Sequence, residues 1–116
     1  MKLNHVNLTV ENVPAARGLL EKHFGMRPYG PGKKNFDVLF DDDDLVLTLI
    51  GVGKNNTVSY PETFHIGFIQ ASNDDVDEVN RRLKEDGYDV PAPSRQHGAW
   101  TFYFEAPGGF TIEVLC

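Results

Sequence analysis

The chain has 116 residues, 41% of them hydrophobic and 24% charged, with 11 Lys+Arg against 17 Asp+Glu and a net charge of −6. That is the length and composition of one ordinary globular domain, able to bury a core without disulfide or metal staples. The acidic balance argues against nucleic acid or an anionic membrane as the main partner, since both need a basic footprint. The run Asp41–Asp44 supplies four of the negative charges and leaves only −2 for the rest. The single cysteine, Cys116, is terminal, so no intrachain disulfide forms, in keeping with a reducing cytoplasm. The opening "MKLNHVNLTV" lacks the apolar core of a signal peptide, and no segment approaches transmembrane length.

Residues 3–10, "LNHVNLTV", alternate with period two. Val6, Leu8 and Val10 share one face, and His5, Asn7 and Thr9 the other, which predicts a strand. "ENVPAARGLLEKHFG" predicts a helix, with Asn12 as N-cap, Pro14 in the first turn and Gly25 as stop. Ala16, Leu19, Leu20 and Phe24 form its apolar stripe. His23 near its end caps carbonyls or is exposed. A short strand near Met26–Tyr29 follows, then the loop "GPGKK", where Lys33 and Lys34 are solvated by default. "NFDVLF" and "LVLTLI" form a hairpin.

The same order then recurs. "TFHIGFIQ" is a strand. "NDDVDEVNRRLKEDG" is a helix capped by Asn73 or Asp74, with Val76, Val79 and Leu83 on its inner face and Gly87 as stop. "YDV" is a short strand, and "AWTFYFE" and "FTIEVL" form a hairpin around "APGG". His5 corresponds to His65, Gly25 to Gly87 and Phe40 to Phe104. The chain therefore reads as a single domain, 1–116, of two repeated modules, about 1–55 and 62–116. "FDDDDLVLT" occupies the place of "FEAPGGFTIE", so the aspartates form a turn. They lack the alternating ligands and glycine of a calcium loop.

His5, His65 and Glu113 each sit in the middle of a predicted strand, and the two histidines hold equivalent places. A carboxylate in mid-strand is costly to bury without a partner. Two imidazoles and one carboxylate brought together by the repeat would make a facial set for one divalent metal, Fe, Mn, Zn or Ni. Three protein ligands leave open positions for water or substrate oxygens. Near them, Tyr103 is a candidate substrate contact, and Trp100, Phe102 and Phe104 alternate with it as core. His97, in the loop "SRQHGAW", is a candidate acid or base. Asn7 and Thr48 lie on the polar strand faces, where they could orient a metal-bound water or simply be hydrated; Asn7 is counted with Tyr103 and His97 as a candidate catalytic residue. Removing Glu113 from the metal-free protein is expected to stabilise it or change it little.

The motifs "NHVNLTV", "LLEKHFGMRP", "FHIGF" and "TFYFEAPGGFTIEV", in order, resemble the vicinal oxygen chelate superfamily, the glyoxalase, bleomycin-resistance and extradiol-dioxygenase group. The resemblance covers essentially the whole chain. It implies an α+β fold of two βαβββ modules, an open, curled mixed sheet around a cleft with helices outside, and a homodimer, with modules paired within a chain or across chains. It also implies that His5, His65 and Glu113 are metal ligands and that Thr48 stands at a fourth ligand position. The uncharged Thr48 departs from the glyoxalase I pattern and points to branches using three ligands, extradiol dioxygenases and fosfomycin-resistance thiol transferases. Tyr103 resembles the substrate tyrosine of the latter, but Pro93 stands where they carry a lysine. The implied function is a metal-dependent enzyme acting on an oxygen-bearing small molecule by lyase or isomerase, dioxygenase or thiol-transferase chemistry. The alternative is a bleomycin-resistance-type binding protein without turnover.

Overall fold

The computed structural model describes residues 1–116. The elements run β1 (His5–Val10), α1 (Val13–Phe24), β2 (Arg27–Pro28), β3 (Phe36–Phe40) and β4 (Val46–Gly51). They continue with β5 (Ile66–Ile69), α2 (Asn73–Glu85), β6 (Ser94–Gln96), β7 (Ala99–Ala106) and β8 (Phe110–Leu115). The order βαβββ therefore occurs twice. Each module carries one open, mixed four-stranded sheet, β1-β4-β3-β2 in the first and β5-β8-β7-β6 in the second. By compactness the chain divides into Met1–Tyr60 with Ala106–Phe110, and Pro61–Glu105 with Thr111–Cys116. The turn 106–110 groups with the first unit through the Glu11 N–H, which donates to Gly108 O at 2.9 Å. Gly108 (φ 110°) also lies so close to Val10 that a Cβ there would come within 3.1 Å of Val10 Cβ.

In module one the alternation works as expected. Leu8, Val10, Leu39, Leu47 and Leu49 are buried beneath Val13, Ala16, Leu19 and Leu20 of α1. Asn12 caps α1, its side chain accepting from the Ala15 N–H, and Gly25 ends it in the left-handed region at φ 63°. His23 corrects the reading of an exposed helix end: it is only 7% exposed, because it continues the stripe of Ala16, Leu19 and Leu20 by one more helical turn. The aspartate run is a hairpin turn. Asp41 Oδ1 accepts from the Asp43 and Leu45 N–H groups, both at 2.8 Å.

Module two departs from expectation at three places. Ser72, not Asn73 or Asp74, caps α2 and accepts from the Asp75 N–H. Its hydroxyl reaches the third helical amide, which fixes the helix start one residue earlier. Residues 88–90 form no strand; the short strand is β6, which pairs antiparallel with β7. Every residue of β6 is exposed, so no alternation marks it in the sequence. Trp100 lies at the rim rather than in the core, its indole N–H bonded to Asp77 Oδ1 at 2.8 Å. Phe102 and Phe104 are buried, as expected, with Ile112, Val114, Val76, Val79 and Leu83. Ser72→Ala should cost about 1 kcal/mol, and Asn73→Ala a few tenths at most, in urea denaturation. Equal effects would return the cap to the later position.

The strand registers make the repeat exact at residue level. Asn7 pairs with Thr48 across the parallel β1–β4 ladder, and Gly67 pairs with Glu113 across β5–β8. Thr48 is therefore the module-one counterpart of Glu113, and Asn7 that of Gly67. Trp100 and Cys116 exchange both backbone hydrogen bonds, at 3.0 Å. Carried inward, that antiparallel register sets Tyr103 opposite Glu113. In module one Val38 lies opposite Thr48. Val38 thus corresponds to Tyr103, and the partner of Phe104 is Leu39 rather than Phe40.

Candidate functional site

The site residues of module two gather on the sheet face opposite α2. Glu113 comes from β8, Thr101 and Tyr103 from β7, and His97 from the β6–β7 turn; His65, expected in mid-strand, is the residue just before β5, which starts only at Ile66. Glu113 is only 5% exposed and Thr101 is fully buried. Glu113 Oε1 accepts from the Thr101 hydroxyl at 2.9 Å. Glu113 Oε2 lies 3.2 Å from His65 Nε2, and Oε1 lies 3.4 Å from His97 Nε2. The carboxylate is therefore buried among polar partners, which answers its desolvation cost.

His65 Nδ1 lies 3.0 Å from Thr63 O. A carbonyl only accepts, so Nδ1 carries a proton and donates it. In the neutral ring, Nε2 then presents a lone pair toward a carboxylate oxygen. Only a proton or a cation between the two atoms satisfies both. This pattern, a histidine whose far nitrogen is tied to a backbone carbonyl, is how metal-ligating imidazoles are oriented. A nitrogen and an oxygen bound to one ion at about 2 Å each lie roughly 3 Å apart, which the observed separation matches.

His97 and Gly98 form the two-residue turn between β6 and β7, with φ of 37° and 83°. Left-handed backbone at both positions is the turn that matches strand twist in a tight hairpin. The turn returns His97 over β7, where its Nε2 lies 2.9 Å from the Tyr103 hydroxyl. The His65 and Tyr103 rings meet edge to face, with centroids 5.3 Å apart. Desolvation and the adjacent Glu113 carboxylate raise the Tyr103 pKa above its ordinary value. The hydroxyl therefore keeps its proton at neutral pH and serves as a donor. Tyr103 also borders an open cavity of about 480 Å³, lined with it by Asp89, Pro91, Phe104, Glu105 and Thr111.

In module one, His5 is the first residue of β1 rather than a mid-strand residue, and it is exposed. Its Nδ1 lies 3.1 Å from Asn4 Oδ1. Two residues on, and on the same face, Asn7 Oδ1 accepts from the Thr48 hydroxyl at 2.6 Å. Where module two has a carboxylate beside a glycine, module one has a hydroxyl and an amide that satisfy each other. His65 and His97 both approach Glu113, yet no three His, Cys, Asp or Glu side chains are arranged so that they could hold a metal ion. The closest approach between two of the candidate ligands is that of His65 Nε2 to Glu113 Oε2. Thr101 escapes a reading of the sequence because its partner lies 12 residues away on another strand. The half-buried ion pair of Arg17 on α1 and Asp37 on β3, 3.2 Å apart, escapes it too, because its partners lie 20 residues apart on different elements.

The sequence model of the Glyoxalase/Bleomycin resistance protein/Dioxygenase superfamily matches residues 2–114. A possible glyoxalase from Bacillus cereus is similar at 52% identity, with a TM-score of 0.88 over 100% of this chain and 99% of that one. The lactoylglutathione lyase of Agrobacterium tumefaciens shares the fold at 18% identity, with a TM-score of 0.76 over 98% of this chain and 92% of that one. A glyoxylase/bleomycin resistance protein/dioxygenase domain from Frankia does so at 19% identity and a TM-score of 0.81, over 99% and 96%. No curated protein matches the chain.

Proposed function

We propose that this chain, which belongs to the Glyoxalase/Bleomycin resistance protein/Dioxygenase superfamily, is a metal-dependent enzyme acting on an oxygen-bearing small molecule. His65 and Glu113 supply two ligands to one divalent ion, Fe, Mn, Zn or Ni, and His5 supplies the third. The observation that carries this reading is the 3.2 Å approach of His65 Nε2 to Glu113 Oε2, with His65 Nδ1 already committed to Thr63 O. Such an ion, when bound, stabilises negative charge developing on a substrate oxygen.

The chain's own groups supply the rest. The protonated Tyr103 hydroxyl donates to a substrate oxygen, and the cavity beside it receives the remainder of the molecule. His97 Nε2, in contact with that hydroxyl, takes up or returns a proton there. Asn7, its carbonyl oxygen held by Thr48, offers its amide N–H groups as donors. The relative at 52% identity, described as a possible glyoxalase, supports lyase or isomerase chemistry over the dioxygenase and thiol-transferase types. Thr48 in place of a carboxylate supports three ligands rather than four. The working unit is a homodimer, and module pairing across subunits would bring His5 from the second copy.

The test is metal content after purification without affinity tag or chelator, for the wild type and His65→Ala. Retained metal in the wild type and loss in the variant is the expected result. Turnover is then screened with hemithioacetals, catechols, and epoxides with thiols. A protein that binds no metal, even when it is added, ends the enzyme reading. Ligand binding without metal or turnover would place it with the bleomycin-resistance-type binders instead.

A further inference from the structure

We infer that Thr101 is a positioning residue that sets which oxygen of Glu113 is offered to a cation; the cation itself rests on the reading above. Thr101 is fully buried on β7. Its single hydroxyl proton has two acceptors in reach, Glu113 Oε1 at 2.9 Å and the Val114 carbonyl at 3.0 Å. The backbone carbonyl alone would satisfy a buried hydroxyl, so the contact with Glu113 is not needed to pay for burial. What that contact does is engage Oε1, more closely than His97 Nε2 at 3.4 Å, and leave Oε2 turned toward His65, 3.2 Å away. The carboxylate is thus offered through one oxygen, in a fixed orientation.

Module one provides an internal comparison. Its register places Phe36 where module two has Thr101, and Thr48 where it has Glu113. The module without a carboxylate has no hydroxyl behind that position. Both modules build the same sheet, so the fold itself does not require a threonine there. A threonine accompanies the carboxylate, and its hydroxyl touches that carboxylate.

Thr101→Val keeps the shape and removes the hydroxyl, whereas Thr101→Ser keeps the hydroxyl. Crystal structures of the metal-free variants should show Glu113 Oε2 displaced from His65 in Thr101→Val and in place in Thr101→Ser. Titration with Co²⁺ should give affinity about 10- to 100-fold weaker for Thr101→Val and near the wild type for Thr101→Ser. If Thr101→Val does not fold, Thr101→Ala carries the same comparison. An unmoved Glu113 in Thr101→Val, or a Co²⁺ affinity within about twofold of the wild type, overturns the inference. If the wild type takes up no Co²⁺, it is the metal reading that falls, and the metal-free structures decide the role of Thr101 alone.

Discussion

Saturating divalent metal should raise the melting temperature of the wild-type protein and leave that of His65→Ala and Glu113→Ala unmoved. A ligand at about 100 times its dissociation constant stabilises the folded state by about 2.7 kcal/mol. For a chain of this size that corresponds to roughly 10 °C. Each variant removes one of the two donors that already face each other. Without metal, Glu113→Ala should change stability by less than about 1 kcal/mol, because it deletes a buried charge without stranding its partners. Thr101 keeps the Val114 carbonyl, and the His65 and His97 side chains, 39% and 54% exposed, can turn to water. Thermal scans with and without metal check both parts. A metal-induced rise that survives in Glu113→Ala removes that residue from the ligand set. A large loss of stability in the metal-free variant gives it a structural role.

Arg17→Ala should destabilise the protein by about 3 kcal/mol, the lower end of the range for breaking a buried pair, since Arg17 is partly exposed. The Asp37 side chain on β3 is 3% exposed, and the Arg17 side chain on α1 is 22% exposed. Asp37 Oδ1 accepts from the Val38 N–H, while Oδ2 has only the guanidinium, at 3.2 Å. Truncating Arg17 leaves that oxygen without its one charged partner. Gly32 closes over the pair: a Cβ there would stand 1.9 Å from Arg17 Nη1, so Gly32→Ala should push the guanidinium aside and lose part of the same stability. Replacing both partners, Arg17→Met with Asp37→Leu, should recover most of the loss, because the two desolvated charges go together. Urea denaturation of the single and double variants measures this. A wild-type midpoint for Arg17→Ala would show that the pair contributes nothing.

Local chemistry made much of the fold legible. The alternation in "LNHVNLTV", the Asn12 cap, the Gly25 stop and the turn of Asp41–Asp44 each follow from a few neighbouring residues. The elements went astray where local signals are weak or duplicated. Ser72, Asn73 and Asp74 are all competent caps, and only the amide that each side chain reaches distinguishes them. β6 is polar throughout and is held by pairing with β7, which no property of its own residues announces.

The candidate site divides in the same way. His65, Glu113, Tyr103 and His97 could be named from residue type and strand parity. That His97 reaches back to Tyr103 depends on the left-handed turn at 97–98, and that Thr101 holds Glu113 depends on the β7–β8 register. By itself the sequence determined the twofold βαβββ plan and the residue types able to bind a metal, because periodicity, caps and turn chemistry act over a few residues. Only the tertiary structure decided which of those side chains meet. Contacts between strands depend on register, and a shift of one residue would turn each of them to the opposite face.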